Sequence, residues 1–122
     1  MNKYLKVKED DRGVIAQIFD MGKSGEVLYG SINPGKIRGN HYHKGKKEFF
    51  FILDGKAKFR MRNIKNGEKE EYDISGDDFQ ILEIFPWWTH SIENTGDKVV
   101  KFFEYGDASY NEVSPDSFSE VV

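Results

Sequence analysis

Apolar and polar residues alternate through a series of short stretches, and turn-forming residues interrupt the alternation at regular intervals. The pattern predicts strands over 3–8, 13–19, 26–33, 37–43, 47–53, 56–64, 68–74, 79–84, 88–94 and 98–104. Between them stand Met21-Gly22, Asn33-Pro34-Gly35, Asp54-Gly55, Asn66-Gly67, Ser75-Gly76-Asp77 and Thr95-Gly96-Asp97. Asp54-Gly55 and Asn66-Gly67 suit tight hairpins, because these residue types tolerate positive φ. No window holds apolar residues at i, i+3, i+4 and i+7 between caps, so helices are not expected. Many short strands with this punctuation predict an all-β sandwich or barrel. Only the residues after Tyr105 lack a clear period.

Strand parity adds detail. In Lys56-Ala57-Lys58-Phe59-Arg60-Met61-Arg62, Ala57, Phe59 and Met61 share one face and the four cations the other. In Glu48-Phe49-Phe50-Phe51-Ile52-Leu53 both faces are apolar, so this strand is expected to be covered on both sides. A second subunit would provide such cover and points to a homodimer; a central sandwich strand would show the same pattern.

The length of 122 residues suits one domain, 1–122. With no cysteine, disulfide scaffolds, thiolate nucleophiles, zinc fingers and iron–sulfur sites are excluded. Eighteen basic against 21 acidic residues, a net charge of −3, argue against a non-specific nucleic-acid or membrane-surface binder. The longest strictly apolar run, Phe49 to Leu53, is far short of a membrane span. The first eight residues show neither an apolar signal core nor a cleavage pattern, so a soluble, cytoplasmic protein is expected.

The chain has three histidines, His41, His43 and His90. Two positions apart on a strand, His41 and His43 point the same way. Glu48 opens the next strand, and a barrel can bring His90 to the same spot. Three imidazole nitrogens and a carboxylate suit zinc, iron, manganese, nickel or copper. Unrelated surface or core histidines are the alternative, but all three fall into one constellation.

The spacing Gly35-x5-His41-x-His43-x4-Glu48-x6-Gly55 resembles the first cupin motif with every position filled. The second motif is partial: Gly76, Pro86, His90 and Asn94 match, whereas Trp88 stands where a glycine is usual and the Pro86–His90 gap is one residue short. The resemblance implies a double-stranded β-helix, the cupin jelly-roll barrel, with a divalent metal on His41, His43, Glu48 and His90. Asp11-Arg12-Gly13, the stretch from Pro34 to His43, Phe59 to Ile64, and Trp88 to Asn94 resemble cupins that process nucleotide-linked 4-keto-deoxysugars. The likeness extends over about residues 9–118 to the C-terminal cupin domain of bifunctional capsular-polysaccharide enzymes. In those enzymes this half is a zinc-bearing epimerase and a separate N-terminal half is a reductase. Metal-free 3,5-epimerases and 3,4-ketoisomerases of dTDP-sugars share the Asp-Arg-Gly and Arg-Gly-x-His pieces, but typically carry Lys or Gln where this chain has Glu48. A lysine can stabilise an enolate directly and a glutamate cannot, which favours the metal-containing epimerase with zinc.

The implied chemistry removes a proton α to a C4 carbonyl, taken here at C3, and stabilises the enolate. Returning the proton from the opposite face gives epimerisation, whereas returning it at C4 gives the 3-keto isomer. Without a metal, His41 becomes the base. Tyr110 lies near a tyrosine acid of the metal-free relatives and is the candidate proton donor, or else packs the barrel mouth. Arg12, Arg38, Arg60 and Arg62 are candidates for the substrate diphosphate, since guanidinium groups grip phosphate bidentately. A solvated strand face is the alternative for Arg60 and Arg62. Parity puts Arg38 opposite His41, so a bulge at Gly39 or a neighbouring subunit is needed to bring it in. Trp87 and Trp88 are candidates for stacking on the nucleobase, or for core packing. With no glycine-rich dinucleotide fingerprint, a separate reductase or aminotransferase is expected to take the product. A metal-dependent dioxygenase and a non-catalytic metal- or sugar-binding cupin are the readings from other classes.

Overall fold

The computed structural model describes residues 1–109, 111 and 113–122. Eleven strands run β1 (Val7–Asp10), β2 (Gly13–Asp20), β3 (Glu26–Ile32), β4 (Ile37–Tyr42), β5 (Glu48–Asp54), β6 (Lys56–Asn63), β7 (Lys69–Ser75), β8 (Ile81–Ile84), β9 (Trp88–Asn94), β10 (Val100–Gly106) and β11 (Phe118–Ser119). A short 3-10 turn, Gly22–Ser24, links β2 to β3. The strands form two antiparallel sheets, β1-β2-β3-β10-β5-β8 and β11-β4-β9-β6-β7. This is the jelly-roll barrel of the cupin fold.

The inner faces follow the alternation. Phe50 and Ile52 of β5, Ala57, Phe59 and Met61 of β6, and Val100 and Phe102 of β10 all point between the sheets and are buried. Burying side chains of this size is worth about 1.5–3 kcal/mol each, so the barrel centre dominates stability. On the outward face of β5, Phe49 and Phe51 are only half-buried, against Tyr105 and Phe79 respectively. Phe79 itself is 82% exposed, so the cover that the sequence predicts for this face is incomplete within the chain.

Two differences from the expected elements have local causes. The first strand lies at Val7–Asp10 rather than 3–8, because the turn at Asp11-Arg12 sets the register Asp10↔Gly13 and the ladder ends at Val7↔Ala16. Tyr4 and Leu5 are exposed. The strand β11 is not anticipated at all; with two residues it carries no period, and it forms by pairing with the edge of β4.

Candidate metal centre and cavity

The site begins with an irregularity in β4. Its pairing with β9 runs Arg38↔Ile92 and Gly39↔Ser91, then shifts to His41↔His90, leaving Asn40 as an extra residue. Gly39 has φ 98° and Asn40 φ 58°, backbone that glycine adopts freely and asparagine tolerates. A bulge of this kind resets the alternation, so Arg38 and His41 both face the barrel interior. The geometry is the one that parity required at Gly39, and no neighbouring subunit is needed to supply Arg38.

Below the bulge, one donor atom from each of His41, His43, Glu48 and His90 lies within 4.8 Å of the other three. His43 and His41 come from β4 and its end, Glu48 from the start of β5, and His90 from β9, the strand paired beside His41. Glu48 and His90 are each 1% exposed and His43 is 5% exposed. His43 Nδ1 lies 2.5 Å from the Asp116 carbonyl oxygen, and His90 Nδ1 lies 3.2 Å from that of Trp88. A carbonyl oxygen only accepts, so both Nδ1 atoms carry the proton and both Nε2 atoms turn inward. There they meet Glu48 Oε1, at 2.7 Å from His43 Nε2 and 3.3 Å from His90 Nε2. The contacts are short, yet none of these three buried atoms has a partner in hydrogen-bond geometry. Converging buried lone pairs cost several kcal/mol unless something positive lies among them. The donor set therefore fits a divalent cation.

The local electrostatics agree. Burial raises the Glu48 carboxyl, but a proton taken up at Nε2 of the adjacent His43 or His90 ring would hydrogen-bond it and hold it well below the usual carboxylate range, as a cation in the same place would. Burial, and then the charge of His90, push His41 down to about 4, so its ring is neutral near pH 7. Neutral imidazoles and an ionised carboxylate are the forms that bind metal.

Above the donors opens a cavity of about 640 Å³, within the range of small-molecule sites. Its walls include Ile15, Leu28, Ile92 and Phe102, and its rim carries Lys6, Lys8, Arg12, Arg38 and Lys46. Arg38 donates Nε–H to the Ser31 carbonyl at 3.0 Å, and no described carboxylate forms an ion pair with it. Arg12 is held by Asp10 at 2.6 Å. Desolvation, and then the nearby Arg12 charge, lower the Arg38 pKa. Two guanidinium groups side by side at a cavity mouth suit an anion.

The other sequence candidates are placed elsewhere. Arg60 and Arg62 do share a face, but it is the outer one: Arg60 pairs with Glu93 at 2.6 Å, and Arg62 donates to the Val121 carbonyl at 2.7 Å. Neither lines the cavity over the histidines. The alternation that buries Phe59 and Met61 turns both arginines outward, the solvated-face arrangement. Trp88 packs against the core and borders a separate groove between β7 and β8 rather than the cavity over the histidines, the core-packing alternative. Trp87 stacks on Tyr42 at 5.8 Å. Tyr110 lies outside the described residues.

Two carboxylates on the cavity wall escaped the sequence reading, Glu26 and Glu104. Burial, and then the Glu48 charge, raise the Glu104 carboxyl well above the usual range. Its position was legible, since Phe102 and Glu104 share a strand face and Phe102 is an obvious core residue.

Residues 8–118 match the polysaccharide biosynthesis C-terminal domain. The chain belongs to this family. A curated relative in Pseudomonas aeruginosa, a UDP-2-acetamido-2,6-beta-L-arabino-hexul-4-ose reductase, is 32% identical over 115 residues, covering 94% of this chain and 31% of that protein. The capsular polysaccharide assembling protein CapF from Staphylococcus aureus superposes with a TM-score of 0.95 at 30% identity, covering 99% of this chain and 35% of CapF. Oxalate decarboxylase from Lactobacillus farciminis shares the fold alone, with a TM-score of 0.78 at 21% identity, covering 94% of this chain and 33% of that one. The chain thus spans about a third of the length of the relatives it matches. Among the described residues, no helix is long and apolar enough to cross a membrane.

Proposed function

We propose that this family member is a sugar-nucleotide epimerase of surface-polysaccharide biosynthesis. Its substrate would be a nucleotide-linked 4-keto-6-deoxy sugar, from which it removes and returns a proton at C3. The observation that carries this reading is one cavity lined both by four converging metal-binding donors and by Arg38, which pairs with a backbone carbonyl rather than a carboxylate, with Arg12 beside it. The Pseudomonas relative, whose name gives a UDP-linked hexul-4-ose, supports the substrate class. The likeness to a capsular polysaccharide assembling protein supports the pathway class.

His41, His43, Glu48 and His90 would hold the metal, taken as zinc. Bound there, zinc supplies a Lewis acid toward the C4 carbonyl oxygen, which increases the acidity of the adjacent C–H. Arg38 and Arg12 take the diphosphate through charge-assisted hydrogen bonds, with Lys6 and Lys8 adding charge beside them. Ile15, Leu28 and Phe102 exclude water around the sugar ring. Tyr110 remains the candidate that returns the proton, on the strength of the resemblance alone. The domain 1–122 is taken to act in the cytoplasm and to pass its keto product to a separate reductase or aminotransferase. We take it to form a homodimer through the outer face of the larger sheet, where Tyr29, Phe103, Phe51 and Ile81 align across four strands.

The test is incubation of the chain with UDP- and dTDP-linked 4-keto-6-deoxyhexoses, followed by proton NMR of the sugar. A new diastereomer inverted at C3 supports the proposal. A 3-keto product would reassign the chain as a ketoisomerase, and an unchanged sugar in both series would count against proton abstraction.

A further inference from the structure

The last described segment runs along the outside of the strand that bears His41 and His43. The strand β11 pairs Phe118↔Tyr42 and Ser119↔His41, and Glu120 N–H donates to the carbonyl of the bulged Asn40 at 2.9 Å. The Thr89 hydroxyl donates to the Glu120 carbonyl, tying the segment to β9 one residue before His90. Tyr42, between the two histidines, has its ring stacked on Trp87 at 5.8 Å and on Phe118 at 5.4 Å. Ahead of β11, Asp116 touches His43 once and the turn after it twice. Its carbonyl faces His43 Nδ1 at 2.5 Å, while its carboxylate accepts from Lys44 N–H at 2.8 Å and Gly45 N–H at 2.7 Å.

We propose that this strap, residues 116–120, is a positioning device for His43. It keeps the ring proton on Nδ1 and so commits the Nε2 lone pair to the four-donor site. The inference rests on reading that site as a metal centre. A free imidazole exchanges its proton between two nitrogens and can rotate about its side-chain bonds. Only the tautomer with a bare Nε2, aimed inward, is a ligand in this geometry. The Asp116 carbonyl selects that tautomer because it can only accept. The Asp116 carboxylate, clamped on two successive amides of the 43–45 turn, holds the carbonyl in place. Asp116 thus acts through His43 and touches neither substrate nor metal. His90 has its own anchor in the Trp88 carbonyl and makes no contact with Asp116.

The experiment uses the whole chain labelled with 15N-histidine, as wild type, Asp116→Ala and Asp116→Asn. Long-range 1H–15N spectra of the metal-free proteins report which ring nitrogen carries the proton. Competition against a chromophoric chelator reports zinc affinity. The wild type is expected to show His43 protonated at Nδ1. In Asp116→Ala that preference should be lost and zinc affinity should fall about 10–100-fold, with His90 unchanged as an internal check on folding. Asp116→Asn, which retains one acceptor oxygen, should fall between them. A wild-type His43 with a bare Nδ1 overturns the proposal without reference to any variant. So does an Asp116→Ala protein with wild-type zinc affinity and an unchanged His43 pattern. If the wild type takes up no zinc but its Nδ1 preference disappears in Asp116→Ala, the strap stands and the metal reading fails.

Discussion

Alanine at Gly39 and alanine at Gly35 impose similar backbone costs and very different packing costs. Both glycines have positive φ, 98° at Gly39 and 77° at Gly35. Holding an alanine in such backbone costs about 1 kcal/mol or somewhat more. At Gly35 nothing lies within 4 Å of the added Cβ, so the cost ends there. At Gly39 the Cβ would sit 2.6 Å from the His90 carbonyl oxygen and 3.1 Å from Ser91 Cα. Both are backbone atoms of β9, which is paired on both sides, by β4 and by β6, and has little room to retreat. Overpacking of this kind adds about 2 kcal/mol. Gly39→Ala should therefore lose about 3 kcal/mol and Gly35→Ala about 1 kcal/mol. Urea unfolding of the metal-free proteins measures both; with a slope of about 2 kcal/mol per molar, the midpoints should differ by about 1 M. Because the bulge also sets His41 against His90, Gly39→Ala should weaken zinc binding while Gly35→Ala leaves it in place. A Gly39→Ala midpoint matching that of Gly35→Ala would refute the claim that the tight β4–β9 approach builds the site.

Other consequences can be measured separately. Asn94, 1% exposed, donates to the Ile32 and Lys98 carbonyls, each at 2.7 Å, and accepts from Gly96 N–H. Asn94→Ala should cost about 3 kcal/mol in the same urea assay, because three partners lose their bond. His41 has a folded pKa of about 4 against 6.5 unfolded, so the unfolded chain binds more protons between those values. His41 alone should remove about 3 kcal/mol of stability from the metal-free protein as pH drops through that window. The raised Glu104 carboxyl, which takes up its proton first in the folded state, offsets this; the difference between wild type and His41→Gln isolates the His41 part. The loss from protonating Glu48 comes at lower pH, and His41→Gln should flatten the upper segment alone. Arg38→Ala should raise KM about 10–100-fold with little change in kcat, as expected for a lost charge-assisted phosphate contact. Glu48→Gln should abolish tight zinc binding, read by chelator competition, since a neutral amide replaces the one anionic donor.

The legible parts of this molecule are those in which alternation and turn chemistry agree. Strands β4 to β6 follow their predicted spans closely because Asp54-Gly55 breaks the chain between β5 and β6 and Phe50, Phe59 and Met61 can face only inward. The tight hairpin expected at Asp54-Gly55 does not form, since β5 and β6 lie in different sheets and the turn carries the chain across. The three histidines and Glu48 were legible from spacing, although their convergence depends on β4 lying beside β9, a pairing between distant parts of the chain. Parity even exposed the need for a bulge at Gly39. What stayed hidden was non-local or non-periodic. Asp116 reaches His43 from 73 positions away, on a segment whose strand is two residues long. The outward placement of Arg60 and Arg62 follows from the same alternation that buries Phe59, and a solvated strand face was the alternative already open for them. Lys6 and Lys8 sit on the cavity rim only because the β1–β2 turn folds them back over it.

The most direct test of the account follows sugar protons in D2O, with a UDP-linked 4-keto-6-deoxyhexose and the chain before and after chelation. The account predicts enzyme-dependent deuterium at C3, lost on removing the metal and regained with zinc. Exchange that survives complete chelation would contradict the role given to the His41, His43, Glu48 and His90 cluster, and no exchange at C3 under any condition would contradict the proposed reaction.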